Sequence, residues 1–175
     1  LIINSGIRRV VIGTTDSNPQ VAGKGIARLR QAGAEVITGV MEEECRRLNR
    51  RFFTWHEKKR PYVILKWARS ADGFIDLQRK PGDAIEPNWI TGQVERVLVH
   101  RWRASEDAIL AGGGTVRSDN PSLTVRYWHG KNPVRVIVSR TARLDPHSAV
   151  FDGSAETLLF TCNEQAQFPA TKTII

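Results

Sequence analysis

Residues 61–73 read PYVILKWARSADG, and they lie between two parts of the chain in which strand and helix patterns alternate. The aromatic and aliphatic run at 62–65 is bounded by a proline in front and an Asp-Gly pair behind, which is typical of a short buried strand. Lys66 follows, although a buried ammonium group must pair with an anion or lose its proton. We therefore predict a strand over 62–67 with a functional lysine at its end. The alternative is a lysine that ends the strand and reaches water.

Downstream of this segment, strand and helix patterns alternate. Residues 91–104 (TGQVERVLVHRWRA) predict a helix with Thr91 as its N-cap and apolar side chains at helical spacing. Short apolar runs bounded by turn residues predict buried strands at 108–111, 134–138 and 157–161, with a further strand near residue 170. This alternation favours an α/β fold with a mainly parallel sheet.

The residues upstream show the same alternation. Strands are predicted at 8–13 and 34–38, and helices at 24–32 and 42–53. This β-α-β-α order is typical of the closing half of a three-layer α/β domain. Residues 56–61 (HEKKRP) are charged and end in proline, as linkers often do. We predict a first domain over 1–55, a linker over 56–61 and a second domain over 62–175, with both domains incomplete.

Composition limits the class of protein. The chain has 175 residues, 41% of them hydrophobic, and no apolar run approaches the roughly 18 residues of a membrane span. A soluble protein is therefore expected. Cys45 and Cys162 stand alone, without a CxxC pair or a histidine at ligand spacing. We expect neither a disulfide framework nor a zinc site within this chain, which suits a reducing cytoplasm.

The formal net charge of +8 calls for an anionic partner. Nucleic acid is one candidate, but the basic residues are scattered and no nucleic-acid-binding motif accompanies them. The cluster at 46–51 follows three glutamates, so pairing along a helix accounts for much of it. Small anionic ligands, such as phosphorylated substrates and dinucleotides, are the preferred interpretation, with no nucleic acid and no membrane partner. We also expect a homo-oligomer.

Three stretches carry groups suited to chemistry. Residues 88–91 (NWIT) place Trp89 before a helix, either to pack on a planar ligand or as a hydrophobic staple. Residues 112–115 (GGGT) follow a strand and allow a phosphate or ribose to approach the backbone, although the spacing is not that of a dinucleotide fingerprint. Residues 118–126 (SDNPSLTVR) form a turn-rich loop with one carboxylate, or simply an Asx-turn.

In this order, the motifs LKWARSADG, NWITG, HRWRASEDAILAGGGTVRSDNPSLTVR and NPVRVIV resemble the reductase half of the bifunctional deaminase/reductase of riboflavin biosynthesis. The stretches GIRRVVIGTTDSNPQVAGKGIARLRQAGAEV and GVMEEECRRLNRRFF resemble the end of its deaminase half. The resemblance covers nearly the whole chain. It implies a dihydrofolate-reductase-like domain from about residue 60, preceded by the last part of a cytidine-deaminase-like domain.

The resemblance also implies ligands and site residues. It implies NADPH as cofactor and a phosphorylated pyrimidine ribosylamine as substrate, with Lys66 and Asp119 nearest the reacting carbon. The cofactor positions are Ala68, Trp89, Thr115 and Asp119. The substrate positions are Pro87, Arg103, Leu123 and Arg126, of which Pro87 departs from the hydroxyl residue often found there. The family's aspartate after the VRVIV strand is Ser139 here.

Two further sites of the family are expected outside this chain. The zinc ligands of the deaminase half would lie upstream of Leu1, and the glycine-rich turn that holds the NADPH phosphates would lie beyond Ile175. The expected activity is NADPH-dependent reduction of the ribosyl group to ribityl. A non-catalytic basic interaction module and a related pteridine reductase are the alternatives. Salt dependence would test the first, and whether arginines line the substrate side would separate the second from the ribosylamine reductase.

Overall fold

The computed structural model describes residues 1–78, 80 and 87–175, and these form two compact units, Leu1–Lys66 and Trp67–Ile175. Within the described residues, no helix is both long enough and apolar enough to cross a bilayer. The predicted domain limits of 1–55, 56–61 and 62–175 stay a prediction.

The first unit has the predicted order of elements. A 3₁₀ turn at Ile3–Ser5 is closed by Gly6 in the left-handed region (φ 68°). Two parallel strands pair with Val10 opposite Val36, and helices follow each of them. The elements are β1 (Arg9–Ile12), α1 (Lys24–Gln31), β2 (Glu35–Thr38), α2 (Glu42–Leu48) and α3 (Arg50–Lys58).

The single helix predicted over 42–53 is wrong in detail, because α2 and α3 meet at Asn49 (φ −100°, ψ 24°). Its backbone N–H and its side-chain amide both donate to the carbonyl of Cys45, at 3.1 and 3.0 Å. Such competition between an asparagine side chain and the backbone interrupts a helix. The next helix then continues through Lys58, where Arg46 binds both oxygens of Glu57 at 2.6 and 2.7 Å. The first half of the predicted linker is therefore helical.

The second unit is built on a four-stranded sheet in which all strands are parallel, in the order β3-β4-β5-β6. This confirms the prediction of an α/β fold with a mainly parallel sheet. A 3₁₀ turn at Ala149–Phe151 precedes β5. The elements are α4 (Gln93–Ser105), β3 (Ala108–Gly112), α5 (Gly113–Asp119), β4 (Val134–Val138), β5 (Thr157–Phe160) and β6 (Thr171–Ile174).

The core lies on one face of this sheet. Ala111, Ile137 and Leu159 are neighbours across three strands and are buried. Val116 of α5 and Phe151 of the 3₁₀ turn are buried in the same cluster. On the opposite face, Leu110, Val138 and Phe160 are exposed. The prediction of buried strands therefore holds for one face only, because an apolar run does not show how many faces are covered.

The strand predicted at 62–67 is absent, and no residue from 61 to 70 belongs to a strand. Leu65 is 78% exposed and Trp67 is 65% exposed, and Lys66 is exposed as well. A strand forms only where a neighbour accepts and donates its backbone hydrogen bonds, and the strand pairings seen among the described residues do not include this segment. The argument that burial forces Lys66 to pair or lose its proton therefore fails here.

Helix α4 also differs from the prediction. Its N-cap is Gly92 rather than Thr91, and no side chain caps it. Its buried residue is His100, whereas Val94 and Trp102 of the predicted apolar face are 70% and 54% exposed. The helical period was therefore correct, but the choice of the buried face was not. Helix α4 buries a polar residue because the loop after α5 supplies hydrogen-bonding groups to it.

Candidate functional site

The carboxyl end of β3 comes very close to the end of β4. An ideal Cβ built on Gly113 would lie 2.7 Å from Oγ and 2.8 Å from Cβ of Ser139, so only glycine fits. The two glycines beside it are open among the described residues: none of their atoms lies within 4 Å of the corresponding position at Gly112, and only a guanidinium nitrogen of Arg117 reaches 4.0 Å at Gly114. Thr115 is exposed in the first turn of α5. A ligand can therefore approach this backbone closely.

Arg103 and Arg126 converge on Thr124. The guanidinium of Arg103 donates to the Thr124 carbonyl at 2.5 Å, and that of Arg126 donates to the Thr124 hydroxyl at 3.4 Å. In the part of the chain that the structure describes, neither arginine forms an ion pair with a carboxylate. Burial, and then the positive charge of Arg126, lower the pKa of Arg103 to about 10. An anion bound between the two would relieve both effects.

His100 lies beside this pair, one helical turn before Arg103. It is 4% exposed, and its Nδ1 accepts a hydrogen bond from the backbone N–H of Arg126 at 2.9 Å. Its ring meets the ring of Tyr127 edge-on, with centroids 4.9 Å apart. Burial, and then the charges of Arg103 and Arg126, lower the pKa of His100 to about 4, so the imidazole is neutral at pH 7. Sequence reasoning missed this residue, although its spacing of three from Arg103 places both on one helix face.

The loop after α5 has an unusual backbone. Leu123 is buried and adopts φ 54°, a left-handed conformation that costs a non-glycine residue about 1–2 kcal/mol. Asn120 also has a positive φ of 41° and ends the helix, while its side chain accepts from the Ala149 N–H at 2.8 Å. Asp119, predicted to lie in a loop over 118–126, is instead the last residue of α5. Strained residues of this kind concentrate at functional sites.

Trp89 is 55% exposed just before α4, and one face of its indole is covered by the guanidinium of Arg96 at 3.7 Å from the ring centroid. Arg96 is the fourth residue of that helix, where a staple would place an apolar partner. Its Nε is buried and has no hydrogen-bond partner among the residues that the structure describes. The structure therefore contains a cation–π version of the predicted staple, and the exposed fraction of the ring remains available to a ligand.

The other predicted site residues are less informative. Pro87 is exposed, Ala68 is half-buried, and Lys66 is exposed at the end of the first unit. The structure brings Arg103 and Arg126 together next to Leu123, and it places Thr115 and Asp119 on α5. The joint action of Lys66 and Asp119 stays a prediction, as do the cofactor and substrate roles. Among the described residues, no group of three or more His, Cys, Asp and Glu side chains could hold a metal ion.

Comparison with protein families gives the decisive observation. Residues 61–173, well over half of the chain, match the family model described as the RibD C-terminal domain. The chain belongs to this family. The matching region includes the two arginines, His100, the glycine run after β3 and the four-stranded sheet except the last residue of β6.

Relatives extend the likeness over almost the full chain. The riboflavin biosynthesis protein RibD of Synechocystis is 44% identical over 161 residues, which cover 91% of this chain and 42% of that protein. The RibD protein of Aquifex aeolicus is 42% identical over 165 residues, covering 93% of this chain and 45% of that protein. The chain thus spans about half the length of these curated RibD relatives.

Solved structures of RibD proteins agree with the fold. A diaminohydroxyphosphoribosylaminopyrimidine deaminase/5-amino-6-(5-phosphoribosylamino)uracil reductase from Thermotoga maritima is 45% identical, with a TM-score of 0.86 over 98% of this chain and 48% of its own. The RibD of Acinetobacter baumannii is 30% identical, with a TM-score of 0.77 over 99% of this chain and 49% of its own. The likeness therefore extends across both compact units.

Proposed function

We propose that this chain carries the substrate-phosphate side of the reductase of riboflavin biosynthesis. In this reaction, the ribosyl group of 5-amino-6-(5-phosphoribosylamino)uracil is reduced to ribityl. Membership of the RibD C-terminal domain family supports the reaction class, and the similar protein from Thermotoga maritima is described as a reductase of that substrate. By the same likeness, the first unit is the end of a deaminase-like domain whose zinc ligands lie upstream.

The observation that carries the proposal is the convergence of Arg103 and Arg126 on Thr124 without a carboxylate partner among the described residues. Guanidinium groups bind phosphate through parallel hydrogen bonds, and a phosphate between these two would neutralise like charges that now face each other. An unphosphorylated pteridine needs no such pair. The two arginines therefore favour the ribosylamine phosphate over a pteridine substrate.

The described residues also fit part of a dinucleotide cofactor. The open backbone at Gly112 and Gly114 and the exposed hydroxyl of Thr115 suit phosphate or ribose, and the exposed part of the Trp89 ring suits a planar group. NADPH, when bound, supplies the hydride. The chain itself orients the substrate through its phosphate, and Lys66 or Asp119 supplies the proton that opens the ribose ring.

The wider setting follows from the same proposal. The protein acts on small molecules in the cytoplasm, as a homo-oligomer, without nucleic-acid or membrane partners. The basic residues of this chain then serve anionic ligands and ion pairs on helices, such as the pair of Arg47 with Glu43. A chain that bound nucleic acid through phosphates alone would lose that binding between low and moderate salt.

The test compares two substrates on the natural full-length protein. NADPH oxidation is followed with 5-amino-6-(5-phosphoribosylamino)uracil and with the same compound lacking its phosphate. We expect kcat/KM to be at least about 10-fold higher for the phosphorylated compound, since a charge-assisted contact is worth roughly 1.5–3 kcal/mol. Equal values for the two compounds would reject the phosphate site, and no turnover of either would reject the reaction.

A further inference from the structure

The loop that carries Arg126 is held by side chains rather than by a strand ladder. Three successive residues are bound through backbone groups: Arg103 donates to the Thr124 carbonyl at 2.5 Å, Asn132 accepts from the Val125 N–H at 2.8 Å, and His100 accepts from the Arg126 N–H at 2.9 Å. Asn132 is fixed in turn, because its amide donates to the Ser154 carbonyl at 3.1 Å. Two of these contacts join the loop to α4, and the third joins it to the segment just before β4.

From this arrangement we infer that His100 is a positioning residue: its neutral Nδ1 anchors the Arg126 backbone and so sets the geometry of the two-arginine anion site. The role requires a lone pair on Nδ1, which places the proton of the neutral ring on Nε2. The identity of the anion as a substrate phosphate rests on the proposed function. The anchoring does not.

The surroundings of His100 maintain this state. Arg103 faces it from its own helix, and Arg126 and Tyr127 face it from the loop. Protonation would remove the acceptor and add a third positive charge beside two guanidinium groups. The ring is also almost fully buried, so a proton there would lack water to solvate it. Burial and charge thus keep the ring in the form that the hydrogen bond requires.

The anchor matters because the loop is strained. Leu123 holds φ 54° only three residues before Arg126, and such a conformation persists only when its neighbours fix it. Without the hydrogen bond to His100, the partly buried N–H of Arg126 would lose its partner and the loop would relax. The Arg126 guanidinium would then move away from Thr124 and Arg103. Anion binding should weaken although no anion ligand has been removed.

Two variants separate anchoring from simple space-filling. In His100→Asn, the side-chain oxygen lies close to the position of Nδ1 and keeps the acceptor. In His100→Leu, a side chain of comparable bulk lacks it. Both are made in the natural full-length protein, with melting temperatures recorded. Substrate KM, NADPH KM and kcat are measured, together with the affinity for inorganic phosphate from the shift of the Arg126 amide signal.

For His100→Leu we expect both the substrate KM and the inorganic phosphate Kd to rise about 10-fold or more, with NADPH KM and kcat within about 3-fold. For His100→Asn we expect a rise of less than about 3-fold. In the ¹⁵N spectrum of the unmodified protein, Nδ1 of His100 should carry no proton at pH 7. Equal losses in both variants, an unchanged Leu variant, or a protonated Nδ1 would each overturn the inference.

The outcomes also separate this inference from the proposed function. If no variant turns over the ribosylaminouracil phosphate but phosphate affinity follows the order wild type, Asn, Leu, the reaction is wrong and the anchor stands. If turnover is normal and phosphate affinity is the same in wild type and both His100 variants, the anchoring role of His100 is wrong and the proposed reaction stands. If the Leu variant does not fold, Asn132→Ala replaces it. This substitution removes the neighbouring hydrogen bond to the Val125 N–H, and it should also raise the substrate KM and the phosphate Kd.

Discussion

Gly113 at the start of α5 lies so close to Ser139 at the end of β4 that a Cβ on the glycine would be 2.7 Å from the serine hydroxyl. This contact joins the β3–α5 turn to the neighbouring strand of the sheet. Ser139 stands where the resemblance implies an aspartate, and the short distance shows that the space at this position is small. The glycine run is therefore required for packing at Gly113, whereas Gly112 and Gly114 are open to solvent or a ligand.

Gly113→Ala should destabilise the protein by about 1–3 kcal/mol, because an added methyl group in a filled space forces the backbone to shift. Gly114→Ala is the matched control. It lies in the same helix with nothing closer than 4.0 Å, and alanine is favoured over glycine inside a helix. The free energy of unfolding, measured in denaturant, should fall for the first variant and be unchanged or higher for the second. Equal losses would show that the contact with Ser139 is not the cause.

Arg126→Ala should raise the substrate KM about 10- to 150-fold and leave the NADPH KM nearly unchanged, because it removes one charged partner of the phosphate. Arg28→Ala removes the same charge from the exposed side of α1 and serves as the control. Steady-state kinetics of both variants in the full-length protein give the comparison. A similar rise in both KM values would assign Arg126 to a shared structural role.

The low pKa of His100 makes stability depend on pH. Its pKa is about 4 in the folded protein and 6.5 in an unfolded chain, so the folded protein binds fewer protons between these values. Stability should therefore fall as the pH drops from 6.5 to 4, by up to about 3 kcal/mol from this residue. His100→Asn lacks the titrating group and should show a flatter profile over that range. If stability depended on pH equally in wild type and His100→Asn, the pKa of His100 would not be lowered in the folded protein as the structure indicates.

Arg135 is a buried arginine whose ion pair with the partly exposed Asp152 was not identified by sequence reasoning. Its side chain is 0% exposed and donates to Asp152 at 2.9 Å, to the Val150 carbonyl at 2.8 Å and to Ser154 at 2.6 Å. Asp152→Ala should cost about 2–4 kcal/mol, because it leaves a buried guanidinium short of a negative partner. Asp107→Ala breaks an exposed pair with Lys131 and should not change the unfolding midpoint measurably.

The pair should also be sensitive to strong acid. Partial burial acts to raise the pKa of Asp152, but the hydrogen bonds from Ser154 and Arg135 and the charge of Arg135 outweigh it and hold this pKa below its ordinary value. The stabilisation is therefore present above the ordinary pKa of an aspartate and is lost as the pH falls through the folded value. Acid unfolding of wild type and Asp152→Ala should converge in that range.

Local patterns predicted the elements well, and the reasons for the failures are physical. Strands β4 and β5 and helix α1 were found because their apolar spacing and turn residues are local properties. The face of α4 was missed because His100 is buried through hydrogen bonds to a loop 26 residues away. Arg103 and Arg126 were implied by resemblance to a family, but their convergence on Thr124 depends on a loop with a left-handed leucine, which no spacing rule predicts.

Lys66 provides the strictest test of the proposed chemistry, because the structure removes one explanation for it. An exposed lysine is not a buried ion-pair partner, so Lys66→Met should change the free energy of unfolding by no more than about 0.5 kcal/mol. If Lys66 supplies the proton that opens the ribose ring, kcat should still fall about 10²-fold or more, with NADPH affinity unchanged. Lys58→Met, also exposed, is the control and should retain full activity. Unchanged turnover in Lys66→Met would leave Asp119 as the acid, and the same measurement on Asp119→Asn would then show the loss.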